Sequence, residues 1–210
     1  MMAKLLYIET SPRGKPSASS SVAGAFLDAY RKTNPKDTIE TLNLWTVSLP
    51  SFDGDMLDAK YAVLHGQKHS DAQASGWKTV SDMATSFKSA DKYLLSVPMW
   101  NFSIPYKVKH YFDIIIQPGL TFSFSPSEGY KGLVTGKKAA IVYSRGGAYG
   151  PGTGAEAYDL QTKTLSGLLG FIGITEQHNI LVEPTLAAPD AVAGTIEKAS
   201  GEARRLATAF

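Results

Sequence analysis

The chain reads as an α/β protein with a doubly wound, five-stranded parallel sheet and helices on both faces. Five short strand-like runs recur along 210 residues, at Lys4 to Glu9, Thr38 to Leu44, Tyr93 to Val97, Ala139 to Tyr143 and His178 to Val182. Segments of helical periodicity separate them, so successive strands are joined by crossovers and lie parallel. Right-handed crossovers then cover both faces, which suits buried runs such as Leu5-Leu6-Tyr7-Ile8.

The elements follow in order. After Lys4 to Glu9 comes a Ser/Pro/Gly loop, then a helix with Val22, Ala25, Phe26, Ala29 and Tyr30 on one face. Thr38 to Leu44 is the second strand, and the polar, periodic stretch from Asp53 to about Ser89 predicts two helices. Tyr93 to Val97 is the third strand and Tyr106 to Ile116 the next helix. Phe122 to Leu133 alternates around Ser127-Glu128-Gly129, the pattern of a hairpin or flap. Ala139 to Tyr143 is the fourth strand and runs into Ser144-Arg145-Gly146-Gly147. A helix from Tyr158 to Leu169, the fifth strand at His178 to Val182 and a closing helix from Ala188 to Ala207 complete the chain. No repeat, low-complexity tract or linker interrupts it, so one domain over residues 1–210 is expected.

Composition narrows the function classes. Apolar residues make up 43% and charged residues 19%, the balance of an ordinary soluble globular protein. The net charge is +2, and the densest basic clusters are the pairs Lys137-Lys138 and Arg204-Arg205, too small for a nucleic-acid footprint. There is no cysteine, which excludes disulfides, thiolate metal sites and cysteine nucleophiles. His65 and His69 lie four apart, a spacing for two metal ligands on one helical face, but no third ligand accompanies them. No metal site is assigned. The N-terminal apolar run is too short for a signal segment or a membrane span, so a cytoplasmic protein without membrane contact is expected.

In such a sheet, ligands bind beyond the carboxyl ends of the strands. Three loops there have unusual compositions. After the first strand, five Ser fall between Ser11 and Ser21 at the start of a helix, with Arg13 and Lys15 beside them. Free backbone N–H groups and Ser hydroxyls at a helix start can cradle a phosphate; a Ser there is also a favoured cap. Neither a P-loop nor a G-x-G-x-x-G fingerprint occurs in this loop. After the third strand, Pro98-Met99-Trp100-Asn101-Phe102-Ser103-Ile104-Pro105 sets aromatic side chains and an amide between two prolines. A loop this apolar needs a cover, which could be a flat aromatic cofactor, the core of the protein or a second subunit. After the fourth strand, Gly146-Gly147 either makes a tight turn or brings backbone N–H groups close to a ligand. No Ser-His-Asp arrangement or carboxylate pair falls on these loops, and no catalytic residue is assigned. The site is expected to hold something that carries its own chemistry.

The chain resembles the FMN-dependent NADH:azoreductases, a family of flavodoxin-like NAD(P)H:quinone oxidoreductases. The resemblance rests on Pro98 to Pro105 followed by Lys109-His110-Tyr111-Phe112-Asp113. Further blocks are Gly119-Leu120-Thr121-Phe122, Gly132 to Lys138, Ser144 to Gly147 and Gly170-Phe171-Ile172-Gly173-Ile174. It implies a flavodoxin-like fold and a homodimer with one FMN per active site at the subunit interface. Ser11, Ser17 and Ser19 would take the ribityl phosphate. Ala18, where relatives can carry a polar residue such as Gln, would donate its backbone N–H. Pro98, Met99, Trp100, Asn101 and Phe102 would line the isoalloxazine, and Ser144, Arg145, Gly146 and Gly147 would bind its other end. Tyr149 stands where some relatives have His, and together with Phe124 and Phe171 is expected at the substrate slot; the two phenylalanines could equally be packing residues. The implied reaction is ping-pong: hydride from NADH or NADPH to FMN, then two electrons to a quinone or an aromatic azo compound. An electron-transfer flavoprotein without its own substrate is the alternative, although such carriers usually present an acidic docking face and this chain stands at +2.

Overall fold

The computed structural model describes residues 2–14, 16–68 and 70–210. The chain order is β1 (Lys4–Glu9), α1 (Ala18–Thr33), β2 (Thr38–Asn43), α2 (Gly54–Leu64), α3 (Asp71–Lys88), β3 (Lys92–Pro98) and α4 (Tyr106–Ile115). It continues with β4 (Phe122–Ser125), β5 (Gly129–Gly132), β6 (Lys138–Ser144), α5 (Leu160–Ile172), β7 (Glu176–Val182) and α6 (Pro189–Ala209). A parallel five-stranded sheet has the order β2-β1-β3-β6-β7, and β4-β5 is a separate antiparallel hairpin. The sheet is doubly wound, as the strand runs imply, and its strand order is that of the flavodoxin-like fold the resemblance implies.

Alternation along each central strand sends side chains to two cores. From β1, β3 and β6, residues Leu6, Ile8, Tyr93, Leu95, Val97, Ile141 and Tyr143 meet α3, α4 and α5 on one face. Leu5, Tyr7, Leu94, Ala140 and Val142 meet α1 and α6 on the other. The edge strand β2 is largely exposed and its sequence alternates with Thr and Glu, where the centre of β1, Leu5 to Ile8, is apolar and buried. The helix ends carry local signals. Ser70 and Gln73 form a capping box on α3, Gly173 closes α5 at φ 108°, and Pro189 occupies the first turn of α6.

The start of α5 differs from the sequence pattern, and the other ends shift by no more than three residues. Residues Glu156–Tyr158 form a 3-10 turn, and α5 begins at Leu160. The Asp159 carboxylate accepts the Thr162 N–H at 2.9 Å, and the Leu160 N–H donates to the Phe102 carbonyl at 3.1 Å, so the first turn is committed to other partners. The hairpin is seated just as tightly: a Cβ on Gly132 would lie 2.4 Å from the backbone at Ile172 and Gly173. Among the described residues, no helix is long and apolar enough to cross a membrane, and no cluster of three or more His, Asp or Glu could hold a metal ion. His65 caps the end of α2 with its ring stacked on Tyr61; His69 lies outside the described residues.

At the amino edge of the sheet, Asp37 accepts the Tyr30 hydroxyl at 2.6 Å and the Ala3 N–H at 2.8 Å, with Lys92 Nζ at 3.6 Å. The Tyr30 hydrogen bond, helped by Ala3 and Lys92 and opposed by burial, holds the Asp37 carboxyl below its ordinary range. A depressed folded pKa means that this stabilisation is present at neutral pH and is lost as pH falls through the folded value. Asp37→Asn should therefore cost about 1–3 kcal/mol in urea unfolding at pH 7. The gap to wild type should narrow as pH falls below about 3.9, and a gap that stays constant would contradict this role for the carboxylate.

Candidate functional site

The strand order reverses its direction of growth between β1 and β3, so the loops leaving these two strands diverge and open a crevice. Side chains fasten the floor. Tyr7 Oη lies 3.0 Å from Ser96 Oγ, and Thr10 Oγ1 donates to the Ser96 carbonyl at 2.7 Å. Burial pushes the Tyr7 phenol up, which keeps it neutral. Met99 N–H donates to the Ser144 carbonyl at 2.8 Å and carries the β3–β6 ladder past Pro98, which has no N–H of its own.

Above this floor lies a cleft of about 460 Å³. Ser11, Ser17, Ala18, Pro98, Met99, Trp100, Ser144 and Gly146 line it, all residues singled out in the sequence. Arg13, Thr185, Leu186, Val192 and Ile196 line it as well. The last four come from the β7–α6 connection and α6, where nothing local in the sequence distinguishes them from an ordinary helix start.

At one end of the cleft α1 begins without a side-chain cap. Ser17 sits at the N-cap position, yet its hydroxyl pairs with Ser19 Oγ at 3.1 Å instead of closing the helix. The N–H groups of Ala18, Ser19 and Ser20 donate to nothing among the described residues. A helix start left open, with hydroxyls beside it and Arg13 exposed at the rim, has the chemistry of an anion site. Ser19 itself is fully enclosed and orients Ser17.

At the other end the chain reverses over Asn101 and Phe102. Trp100 N–H donates to the Ser103 carbonyl at 2.9 Å and Ser103 N–H to the Trp100 carbonyl at 3.0 Å. Both central residues have positive φ, 47° at Asn101 and 69° at Phe102, as a type I′ turn demands. Asn tolerates this region; Phe does so at a cost. The Phe102 ring packs on Tyr158 at 5.1 Å and on Tyr149 at 6.0 Å, and Leu160 N–H holds its carbonyl, so neighbouring groups fix the strained turn. The N–H groups of Asn101 and Phe102 stay unpaired among the described residues, as do those of Gly146 and Gly147. Trp45, which the sequence reading passed over, braces the wall: its indole N–H donates to the Thr10 carbonyl at 2.8 Å, and its ring meets Trp100 and Tyr106.

Of the residues expected at the ligand, Ser19, Asn101, Phe102, Gly147 and Tyr149 are not among those lining the cleft, and Arg145, Phe124 and Phe171 depart further from the picture of ligand contacts. Arg145 does not face the cleft: its side chain is fully enclosed and bonded to Asp159, Glu183, Gln161 and Thr162. Its N–H and carbonyl are occupied by Val182 and Thr185. Phe124 and Phe171 do not reach the cleft of their own chain. They cluster with Phe122 and Tyr130 at the far end of α5, whose 13 residues span about 20 Å from the end near Phe102. The two glycines also serve their neighbours: a Cβ on Gly146 would lie 2.7 Å from Leu186 Cδ1, and one on Gly147 would meet the folded-back Tyr149 phenol at 3.1 Å.

The strain at Phe102 is measurable. Phe102→Gly and Phe102→Ala both delete the ring, so they differ only in the backbone. Gly should be the more stable by about 1 kcal/mol in chemical unfolding, reversing the usual preference for Ala. An Ala variant equal to or better than Gly would show that the turn relaxes.

The chain is similar to known proteins in sequence and fold. A family model described as Flavodoxin-like fold matches residues 3–207. The FMN-dependent NADH:quinone oxidoreductase of Desulfotalea psychrophila is 51% identical over 185 residues, 88% of this chain and 87% of that one. Its counterpart from Nitratidesulfovibrio vulgaris is 48% identical over the full length of both. Among solved structures, azoreductase from Bacillus anthracis str. Sterne superposes with a TM-score of 0.90 at 29% identity, covering both chains completely. The FMN-dependent NADH-azoreductase from B. anthracis str. Ames Ancestor in complex with FMN gives 0.86 at 28% identity, over 98% of this chain and 100% of that one. The chain belongs to the flavodoxin-like family of FMN-dependent NADH:quinone oxidoreductases.

Proposed function

We propose that this protein is an FMN-dependent NAD(P)H oxidoreductase that reduces quinones and cleaves aromatic azo compounds. The observation that carries the proposal is the set of unpaired N–H groups beside one cleft: three on the first turn of α1, whose Ala18 lines it, and four on the 101–102 and 146–147 turns, which adjoin the lining residues Trp100 and Gly146. A ligand with a phosphate at one end and a hydrogen-bonding ring at the other satisfies both. FMN is such a ligand, and a cleft of about 460 Å³ lies within the usual range for cofactor sites, about 300–1,000 Å³.

In this reading Ser11, Ser17, Ala18 and Ser19 hold the phosphate through hydroxyls and N–H groups, aided by the positive end of α1. Pro98, Met99 and Trp100 form the wall against the ring, while Asn101, Phe102, Gly146 and Gly147 offer it backbone donors. Ser144 contributes from the end of β6. When bound, FMN supplies the redox chemistry, taking a hydride equivalent from NADH or NADPH and passing two electrons to the acceptor. Donor and acceptor use the slot in turn, in ping-pong order. The residues' task is to bind, orient and exclude water; donors fixed before the reaction stabilise charge that develops on the ring without reorganising.

The same proposal makes the protein a homodimer. Phe124 and Tyr130 are 58% and 67% exposed, and together with Phe122 and Phe171 they form an aromatic surface remote from their own cleft. Such a surface calls for a partner. We assign it to the cleft of the second subunit, beside Tyr149, where Phe124 and Phe171 would wall the substrate slot. A cytoplasmic location accompanies the use of NAD(P)H, an intracellular reductant. The substrate-free electron carrier is disfavoured, because the names of the relatives specify a quinone as acceptor.

The test is anaerobic turnover of the full chain reconstituted with FMN. Gel filtration should leave one FMN per subunit on a dimer, and NADH should be consumed continuously only when a quinone is present. A chain that retains no FMN, a monomeric holoprotein, or one flavin reduction without quinone turnover would each remove part of the proposal.

A further inference from the structure

Arg145 was expected to touch the ligand and instead lies beneath the loop that does. Its guanidinium is fully enclosed and spans Asp159 at 3.0 Å, Glu183 at 3.2 Å and Gln161 at 3.0 Å, with Thr162 also in contact. These partners come from different parts of the fold. Asp159 caps the start of α5, Glu183 follows β7, and Gln161 Nε2 reaches across to the Val97 carbonyl at 3.0 Å, at the end of β3. A buried Arg with two carboxylates adds little net stability over apolar residues of similar size. Stability alone therefore does not account for the cluster.

Its specific effect is on the backbone between Ser144 and Gly150. Glu183, held by Arg145, accepts the N–H groups of Tyr149 at 2.9 Å and Gly150 at 3.1 Å. The Arg145 carbonyl accepts Thr185 N–H at 2.8 Å, and the Gly146 carbonyl accepts Leu186 N–H at 3.0 Å. These bonds occupy the Arg145 and Gly146 carbonyls and the Tyr149 and Gly150 N–H groups, while the N–H groups of Gly146 and Gly147 stay unpaired among the described residues. Only Arg, with five donors in a rigid fork, can bridge these acceptors at once; Lys keeps the charge but loses the span.

We propose that Arg145 is a positioning residue: acting through Glu183, it fixes the 146–147 turn so that its two open N–H groups meet the ring end of the bound flavin, without touching the flavin itself. This rests on the function proposed above and deepens it.

The experiment compares FMN with riboflavin, which lacks the phosphate, on the full-length chain freed of cofactor. Arg145→Lys should weaken both flavins by about the same factor, on the order of tenfold, because the lost contacts are at the ring end that both share. It should also lower the midpoint potential of bound FMN, since open N–H groups stabilise the charge of the reduced ring more than the neutral oxidised ring. Glu183→Gln should repeat the equal loss of both flavins, and it supplies the binding test should Arg145→Lys not fold. Ser11→Ala combined with Ser17→Ala serves as the reference for the phosphate end, weakening FMN and sparing riboflavin. Loss confined to FMN in Arg145→Lys would mean that Arg145 serves the phosphate, and would overturn the assignment. So would unchanged affinity for both flavins, or weakened binding with an unchanged potential, which is what a purely structural role produces. A wild-type chain that binds neither flavin would remove the flavin reading and this inference together; wild-type binding with any of the former outcomes removes this inference alone.

Discussion

Backbone hydrogen-bond accounting governs this protein. A parallel sheet satisfies its strands internally, but at its carboxyl edge the chain leaves each strand with N–H groups that no neighbouring strand can take. Here they remain open where they converge. The start of α1 lacks a side-chain cap although Ser17 stands in place to supply one, and the turns after β3 and β6, next to the same crevice, leave donors unpaired among the described residues. An uncapped helix and a strained turn are individually unfavourable. In the function proposed above, a ligand with an anion at one end and a hydrogen-bonding ring at the other would supply the partners that both lack.

Keeping donors open requires everything around them to be closed. The floor is stapled by Tyr7, Ser96 and Thr10, the outer wall by Trp45, and the 101–102 turn by Tyr149, Tyr158 and the Leu160 N–H. Beneath the glycine turn the Arg145 cluster ties the ends of β3, β6 and β7 to the start of α5. Rigidity of this kind suits chemistry carried by a cofactor, because the protein's contribution is orientation and fixed dipoles.

The elements were legible because their signals are local. Leu5-Leu6-Tyr7-Ile8 reads as a buried strand, the polar periodicity from Asp53 to about Ser89 resolves into two helices, and Ser127-Glu128-Gly129 sits at the turn of a true hairpin. The three loops were legible for the same reason, being compositional anomalies at strand ends. What the sequence hid depends on distant partners. Arg145 beside two glycines looks like a ligand residue; Asp159 and Glu183, 14 and 38 positions away, turn it inward. The reversal at Asn101-Phe102 lacks the Asn-Gly pair that announces a type I′ turn, and it is held by the rings packed on Phe102 and by the Leu160 N–H, all distant in sequence. Phe124 and Phe171 share Tyr130 as a neighbour, yet the length of α5 separates them from their own cleft.

Amide hydrogen exchange of the full chain, followed residue by residue with and without FMN, tests the central claim most directly. The N–H groups of Ala18, Ser19, Asn101, Gly146 and Gly147 should exchange readily in the free chain and become strongly protected together when FMN binds. Protection that already exists without FMN, or that develops elsewhere and leaves these five unchanged, would contradict the account.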